Sequence, residues 1–232
     1  MLGSIISVRL ITNGVSGVVR LAPGTSRLAT RLALACLILA GVAGCGGASV
    51  AVPTEFPVPL VQRIPLTMGV HLSPELRKFV HSEKLKNAGD WNIDLGDAQE
   101  PMFNNLLTGM FAATRFVTNP ESPDADVDAV LVPSISEVQF SIPTQTRSDY
   151  YEVWIRYHFE LLSPDGQSIA DWDLTAYGKA NQRNYGGLQG SQPALQAAAL
   201  AACRDAMAFF TVQFRGVPPV KAWLETHGGQ TI

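Results

Sequence analysis

Between Tyr151 and Leu161 the chain alternates without interruption. Tyr151, Val153, Ile155, Tyr157, Phe159 and Leu161 interleave with Glu152, Trp154, Arg156, His158 and Glu160. Successive strand residues point to opposite faces, so a period of two over this length describes a strand buried on one side and wet on the other. Pro164-Asp165-Gly166 supplies turn residues. Ile169 to Ala180 then returns, with Ala170, Trp172, Leu174 and Ala176 on one face and Asp171, Asp173, Thr175 and Tyr177 on the other. A hairpin of this kind is antiparallel and keeps one side in water. Its apolar side demands a cover.

Two segments can provide that cover. Asp97 opens a helix with Glu100 in capping-box position and Pro101 in the first turn. Ala98, Met102, Leu106 and Met110 recur every four residues, flanked by Phe103, Leu107 and Phe111, and the segment reads as helix to Arg115. Ser191 caps a second helix with Pro193 in its first turn. Its stripe is Leu195, Ala199, Ala202, Ala206 and Phe209, with Phe210 as a further candidate. Arg204 and Asp205 interrupt this helix and argue against a bilayer span, which needs roughly 20 apolar residues. Smaller elements fill the remainder: a strand from Ile64 to Leu72, a helix from Ser73 to about Ser82, a strand from Trp91 to Leu95, a short strand over Phe116 to Thr118, and a solvated loop to Asp128. Ala129 to Ile142 is one strand or two, with Pro133 marking an edge or a bulge. A last short helix covers Val220 to Thr226. The order predicts an α+β domain, a mainly antiparallel sheet with two main helices packed on one face.

The first 44 residues have a different character. They hold no Asp or Glu, and Arg20, Arg27 and Arg31 precede the apolar run Leu32 to Val42. A basic segment, a short apolar run and small residues at its end make a secretory signal, and the run is too short for a permanent span. Val42-Ala43-Gly44-Cys45 resembles the lipobox of bacterial lipoproteins. That resemblance implies cleavage before Cys45, a diacylglycerol on its thiol and acylation of the new amine. Several acyl chains anchor stably where one binds marginally. The group on Cys45 is a covalent lipid; no other cofactor is expected. In the resembling lipoproteins of enteric-type bacteria, Asp after the Cys signals inner-membrane retention. Gly46 and Gly47 stand here instead, which implies the periplasmic side of the outer membrane. Residues 45–60, mostly Gly, Ala, Val and Pro with Glu55 as the one charge, read as a lipidated tether. Residues 61–232 then form a single periplasmic domain. The helix from Asp97 to Arg115 followed by Phe116-Val117 is similar to small α/β lipoprotein domains of the outer membrane, such as activators of peptidoglycan synthases, the lipopolysaccharide-assembly lipoprotein and auxiliary lipoproteins of transport systems. That resemblance implies a membrane and an envelope protein or glycan as partners. It carries over no functional residue except Cys45.

From Cys45 onward the chain has 13 Lys and Arg against 20 Asp and Glu, a net charge of −7. Such a surface disfavours nucleic acid. Cys36 leaves with the signal and Cys45 is acylated, so Cys203 has no partner for a disulfide and reads as a small buried apolar residue among alanines. His71, His81, His158 and His227 are scattered without zinc spacing. There is no nucleophile elbow, phosphate loop or dinucleotide fingerprint. Asp171 and Asp173 have the spacing of paired carboxylates, which an ordinary polar strand face also produces. A non-catalytic protein without a metal is expected.

One constellation stands out against that background. Trp154, Arg156 and Tyr177 fall on the wet faces of adjacent strands. Aromatics there can stack across the hairpin, and aromatics beside Arg characterise partner surfaces. If a helix covers this face too, Trp154 is core instead. The loop Gln182 to Gln189, with Arg183 and Tyr185, is a second candidate contact. The function expected is a non-catalytic accessory or adaptor of an envelope machine. The alternatives are a carrier holding an apolar ligand between helices and sheet, and a hydrolase without a recognisable motif.

Overall fold

A computed structural model describes residues 47–186 and 191–227. The expected signal segment and Cys45 lie outside the described residues, as do positions 187–189 of the candidate loop. The domain is α+β and contains two sheets, both mixed. In the smaller, β1 (Gly47–Ala51) runs parallel to β4 (Gly89–Asp94), which pairs antiparallel with β3 (Val80–Leu85). The larger has the order β5 (Phe111–Phe116), β2 (Ile64–Val70), β6 (Ala129–Ser141), β7 (Tyr150–Leu162), β8 (Ser168–Asn181). Its β2–β5 and β2–β6 pairs are parallel, and its β6–β7 and β7–β8 pairs are antiparallel.

This corrects the expectation of one mainly antiparallel sheet. A parallel neighbour needs a crossover, and the chain provides one between β2 and β5 through a short helix α1 (Pro74–Arg77), the β3–β4 hairpin and α2 (Gly96–Met110). Two local readings conceal it. The helix expected over Ser73 to Ser82 stops at Arg77; Ser73 Oγ does accept from Leu76 N at 3.2 Å, but the chain then extends into β3. The helix expected to reach Arg115 ends at Met110. Phe111 continues the i, i+4 pattern from Leu107, yet its backbone is extended (φ −120°, ψ 159°) and it starts β5 while remaining fully buried. The short strand expected at Phe116 is the end of β5. The capping box at Asp97 also gives way: the cap position of α2 is Leu95, two residues earlier, Asp94 Oδ1 accepts from Gly96 N at 3.1 Å, and Glu100 pairs with Arg77.

The tether is the second correction. Gly47–Ala51 is a strand, Val52 N donates to Asp94 O at 2.9 Å, and Val50, Val52 and Phe56 are buried in the main core. The Gly, Ala, Val and Pro composition that reads as a tether conceals an alternation: Ala48 and Val50 are the buried face of β1, and Val52 continues it just beyond the strand.

A short helix, α3 (Pro143–Thr146), joins β6 to β7, and the two main helices cover one side of the large sheet. α2 presents Phe103 edge-on to Tyr157 and Phe159, and α4 (Ser191–Gln213) presents Phe210 to Phe159 with ring centroids 4.9 Å apart. By length and composition Ser191–Gly216 could cross a bilayer, but Leu195, Ala198, Ala199, Ala202 and Cys203 are fully buried in the core cluster. Phe210, not Phe209, belongs to that stripe; Phe209 is 53% exposed. A final helix, α5 (Pro218–Thr226), closes the described chain. The small sheet completes the core through Trp91, whose ring lies 5.8 Å from Phe140 and 6.1 Å from Tyr151.

Candidate functional site

β7 and β8 pair along their whole length, and the register places Trp154 opposite Tyr177, Arg156 opposite Thr175 and His158 opposite Asp173. Because Tyr151, Val153, Ile155, Tyr157 and Phe159 point inward and are buried, the intervening side chains must point to the other face. α2 and α4 cover the inner side, so Trp154 is not enclosed beneath a helix; it is half-buried among its cross-strand neighbours. The structure therefore brings all three predicted residues together.

Trp154 and Tyr177 lie with ring centroids 5.1 Å apart at 36°, within the range of favourable aromatic pairs. Tyr177 Oη donates to Glu152 Oε1 at 2.5 Å, and Ser141 Oγ donates to Glu152 Oε2 at 3.0 Å. Burial, reinforced by the Glu152 carboxylate, pushes the Tyr177 phenol up to about 12, so it stays a neutral donor. Arg156 Nη1 sits 3.1 Å from Glu137 Oε2 on β6. Trp154, Arg156, Thr175, Glu137 and Gln139 line a shallow groove of about 210 Å³ open to solvent. An apolar floor flanked by one cation, its carboxylate and an amide can hold a planar apolar group and hydrogen-bond its polar edge. It contains no nucleophile paired with a base.

Glu137 and Gln139 are members that sequence reasoning missed. In the first part of β6 the inward residues are Leu131, Pro133 and Ile135; beyond it they are Val138, Phe140 and Ile142. The parity reverses because the register shifts between Ile135 and Glu137, inserting Ser136 as an unpaired residue. No alternation in the sequence carries through such a bulge. Pro133 marked the region, and it sits just past the last β2 partner, Leu131, where no ladder donor is required of it.

The remaining candidates disperse. Asp173 Oδ1 is 2.9 Å from His158 Nδ1 on the wet face, while Asp171 stands opposite Glu160. His71 Nδ1 contacts Val117 O at 3.1 Å, and His227 packs on Trp223. Arg183 pairs with Asp149 at 2.8 Å rather than joining the Trp154 groove. Among the described residues no group of three His, Cys, Asp or Glu is placed to hold a metal.

No family model and no curated protein matches the sequence. Among solved structures, the chain is similar to protein XCC0632 from Xanthomonas campestris, of the family model DUF330, at 10% identity and a TM-score of 0.45 over 76% of this chain and 96% of that one. A minor lipoprotein from Acinetobacter baumannii aligns at 16% identity, TM-score 0.37, over 67% and 92%. A candidate lipoprotein from Caulobacter crescentus CB15 aligns at 10% identity, TM-score 0.36, over 55% and 82%. None of these similarities transfers a residue or an activity to this chain.

Proposed function

We propose that this chain is a lipid-anchored envelope lipoprotein, acylated at Cys45 on the periplasmic side of the outer membrane, that serves as a non-catalytic accessory or adaptor and engages a protein or glycan through the open face of β6, β7 and β8. The Trp154–Tyr177 pair supports this reading most: two aromatic rings 5.1 Å apart on an uncovered sheet face, beside Arg156. Residues of these types at the centre of a contact carry most of its energy, about 2 kcal/mol or more for a single truncation. Packing between α4 and the sheet speaks for the adaptor over the carrier. A β-carbon added at Gly178 would fall inside the contact distance of Ala198 O and Ala202 N, which leaves no room there for a ligand.

Trp154→Ala and Ile155→Ala separate the two faces. Ile155 is fully buried, and its truncation should cost roughly 2–5 kcal/mol. Trp154→Ala should keep most of the thermal stability and lose partner capture by in-cell crosslinking. Equal destabilisation by both would remove the site. Membrane fractionation of Cys45→Ser tests the anchor; a mutant that still pellets with membranes and incorporates the same acyl label as wild type would remove it.

A further inference from the structure

The displacement of the tether by a strand constrains how an anchored domain can sit. If Cys45 carries the lipid, only Cys45 and Gly46 separate the bilayer from Gly47, the first residue of β1. Two residues span at most about 7 Å. The ionic atmosphere near a membrane extends about 8 Å at physiological salt. The end of the domain that contains Gly47 is thus confined to the charged layer of the membrane.

That end can be identified from the register. Gly47 pairs with Asp90, beside the β3–β4 turn at Lys86 and Asn87. Trp91, next in line, packs on Phe140 and Tyr151, which brings the β6–β7 connection and the end of β8 to the same side. The exposed side chains gathered there include Lys84, Lys86, Arg147, Lys179 and Arg183, five of the 13 basic residues after Cys45. Their acidic neighbours are Glu83, next to Lys84 and 3.5 Å from His81, Asp90, 3.6 Å from Lys84, Asp149, 2.8 Å from Arg183, and Glu152, which is held by Ser141 and Tyr177. Lys86 and Arg147 have no acidic partner among the described residues. Tyr150, 38% exposed, lies at the same end with Lys179 Nζ 5.3 Å from its ring centre; Tyr is a residue of membrane interfaces. The opposite end is acidic: Glu121 abuts Gly166 in the β7–β8 turn, with Asp124, Asp126 and Asp165 nearby in the chain.

We infer that the end formed by the β3–β4 turn, the β6–β7 connection and the end of β8 docks on an anionic bilayer surface, standing the long strands away from the membrane and presenting the acidic end outward. The inference rests on acylation of Cys45. It goes beyond the adaptor reading, because it fixes an orientation and a lipid chemistry.

The test uses the full acylated protein in vesicles of phosphatidylethanolamine and phosphatidylglycerol containing a headgroup-quencher lipid. With Cys45 acylated and Cys203 buried, a fluorophore attaches to a single introduced thiol, Thr144→Cys in the β6–β7 connection or Glu121→Cys at the far end. The expected result is loss of fluorescence at 144 and retention at 121. Lys86→Glu with Arg147→Glu should weaken the loss at 144 without altering acylation or the thermal midpoint. Equal quenching at both positions, or stronger quenching at 121, on protein whose acylation is confirmed by mass would overturn the orientation alone. An unmodified Cys45 would overturn the anchor and this inference together.

Discussion

Tyr157 buries its hydroxyl completely and directs it to Gln99 Oε1 at 3.2 Å, while Gln99 Nε2 donates to Leu95 O at 3.0 Å. A buried polar group costs free energy unless it is bonded, and this pair satisfies itself between β7 and α2. Cys203 lies against the same hydroxyl. Burial pushes its thiol from 9.0 up to about 12, and burial also raises Tyr157 well above the ordinary phenol range. In each case the folded state retains a proton that the unfolded chain releases, so the stabilisation is present below the unfolded value and is lost as pH rises above it. Denaturant melts should therefore show stability falling from about pH 9 upward, where the unfolded thiol begins to ionise. Cys203→Ala should flatten the first part of that decline. An unchanged slope in the variant would mean that the thiol ionises equally in both states.

The contact between α4 and β8 is the tightest test of how elements fit. Gly178 faces the α4 backbone at Ala198 and Ala202, and Asp205 Oδ2 accepts from Tyr177 N at 2.8 Å, occupying an outward donor of the edge strand. Gly178→Ala should push the helix from the sheet at about 1–3 kcal/mol, the usual cost of overpacking. Its readouts are a lower thermal midpoint and faster thiol labelling of Cys203; a midpoint equal to wild type would mean that α4 has slack. Elements like β7 and β8 were legible because alternation is a local property: Tyr151 to Leu161 and Ile169 to Ala180 match their observed spans to within a residue or two. The Trp154–Tyr177 pair followed from the same parity. What could not be read depended on distant partners. Phe111 fits a helix stripe and a strand equally well until β2 is beside it. Val50 resembles linker sequence until β4 pairs with it through Ile93. Glu137 reaches the groove only through the bulge at Ser136.

The two sheets share a core that residues 47–56 help to close. Val50 stands opposite Ile93 of β4, Val52 N donates to Asp94 O at 2.9 Å, and Asn105 Nδ2 on α2 donates to Phe56 O at 2.8 Å. Gln196 Nε2 on α4 donates to Ala51 O at 2.7 Å, so the segment is tied to both main helices. Burying Val50, Val52 and Phe56 stabilises the fold by roughly 1.5–3 kcal/mol for each side chain. Together these contributions approach the whole stability of an ordinary domain, about 5–15 kcal/mol. Their loss would also strip β4 of its parallel partner and expose Ile93, which is fully buried. A domain boundary placed at residue 60 by composition therefore cuts through the core, whereas one at Gly46 does not. A soluble chain beginning at Gly46 should melt cooperatively, with a near-ultraviolet signal from Trp91 and its aromatic neighbours. A chain beginning at residue 61 should lack both properties. Equal midpoints for the two chains would show that β1 is dispensable and that residues 47–60 act as a tether.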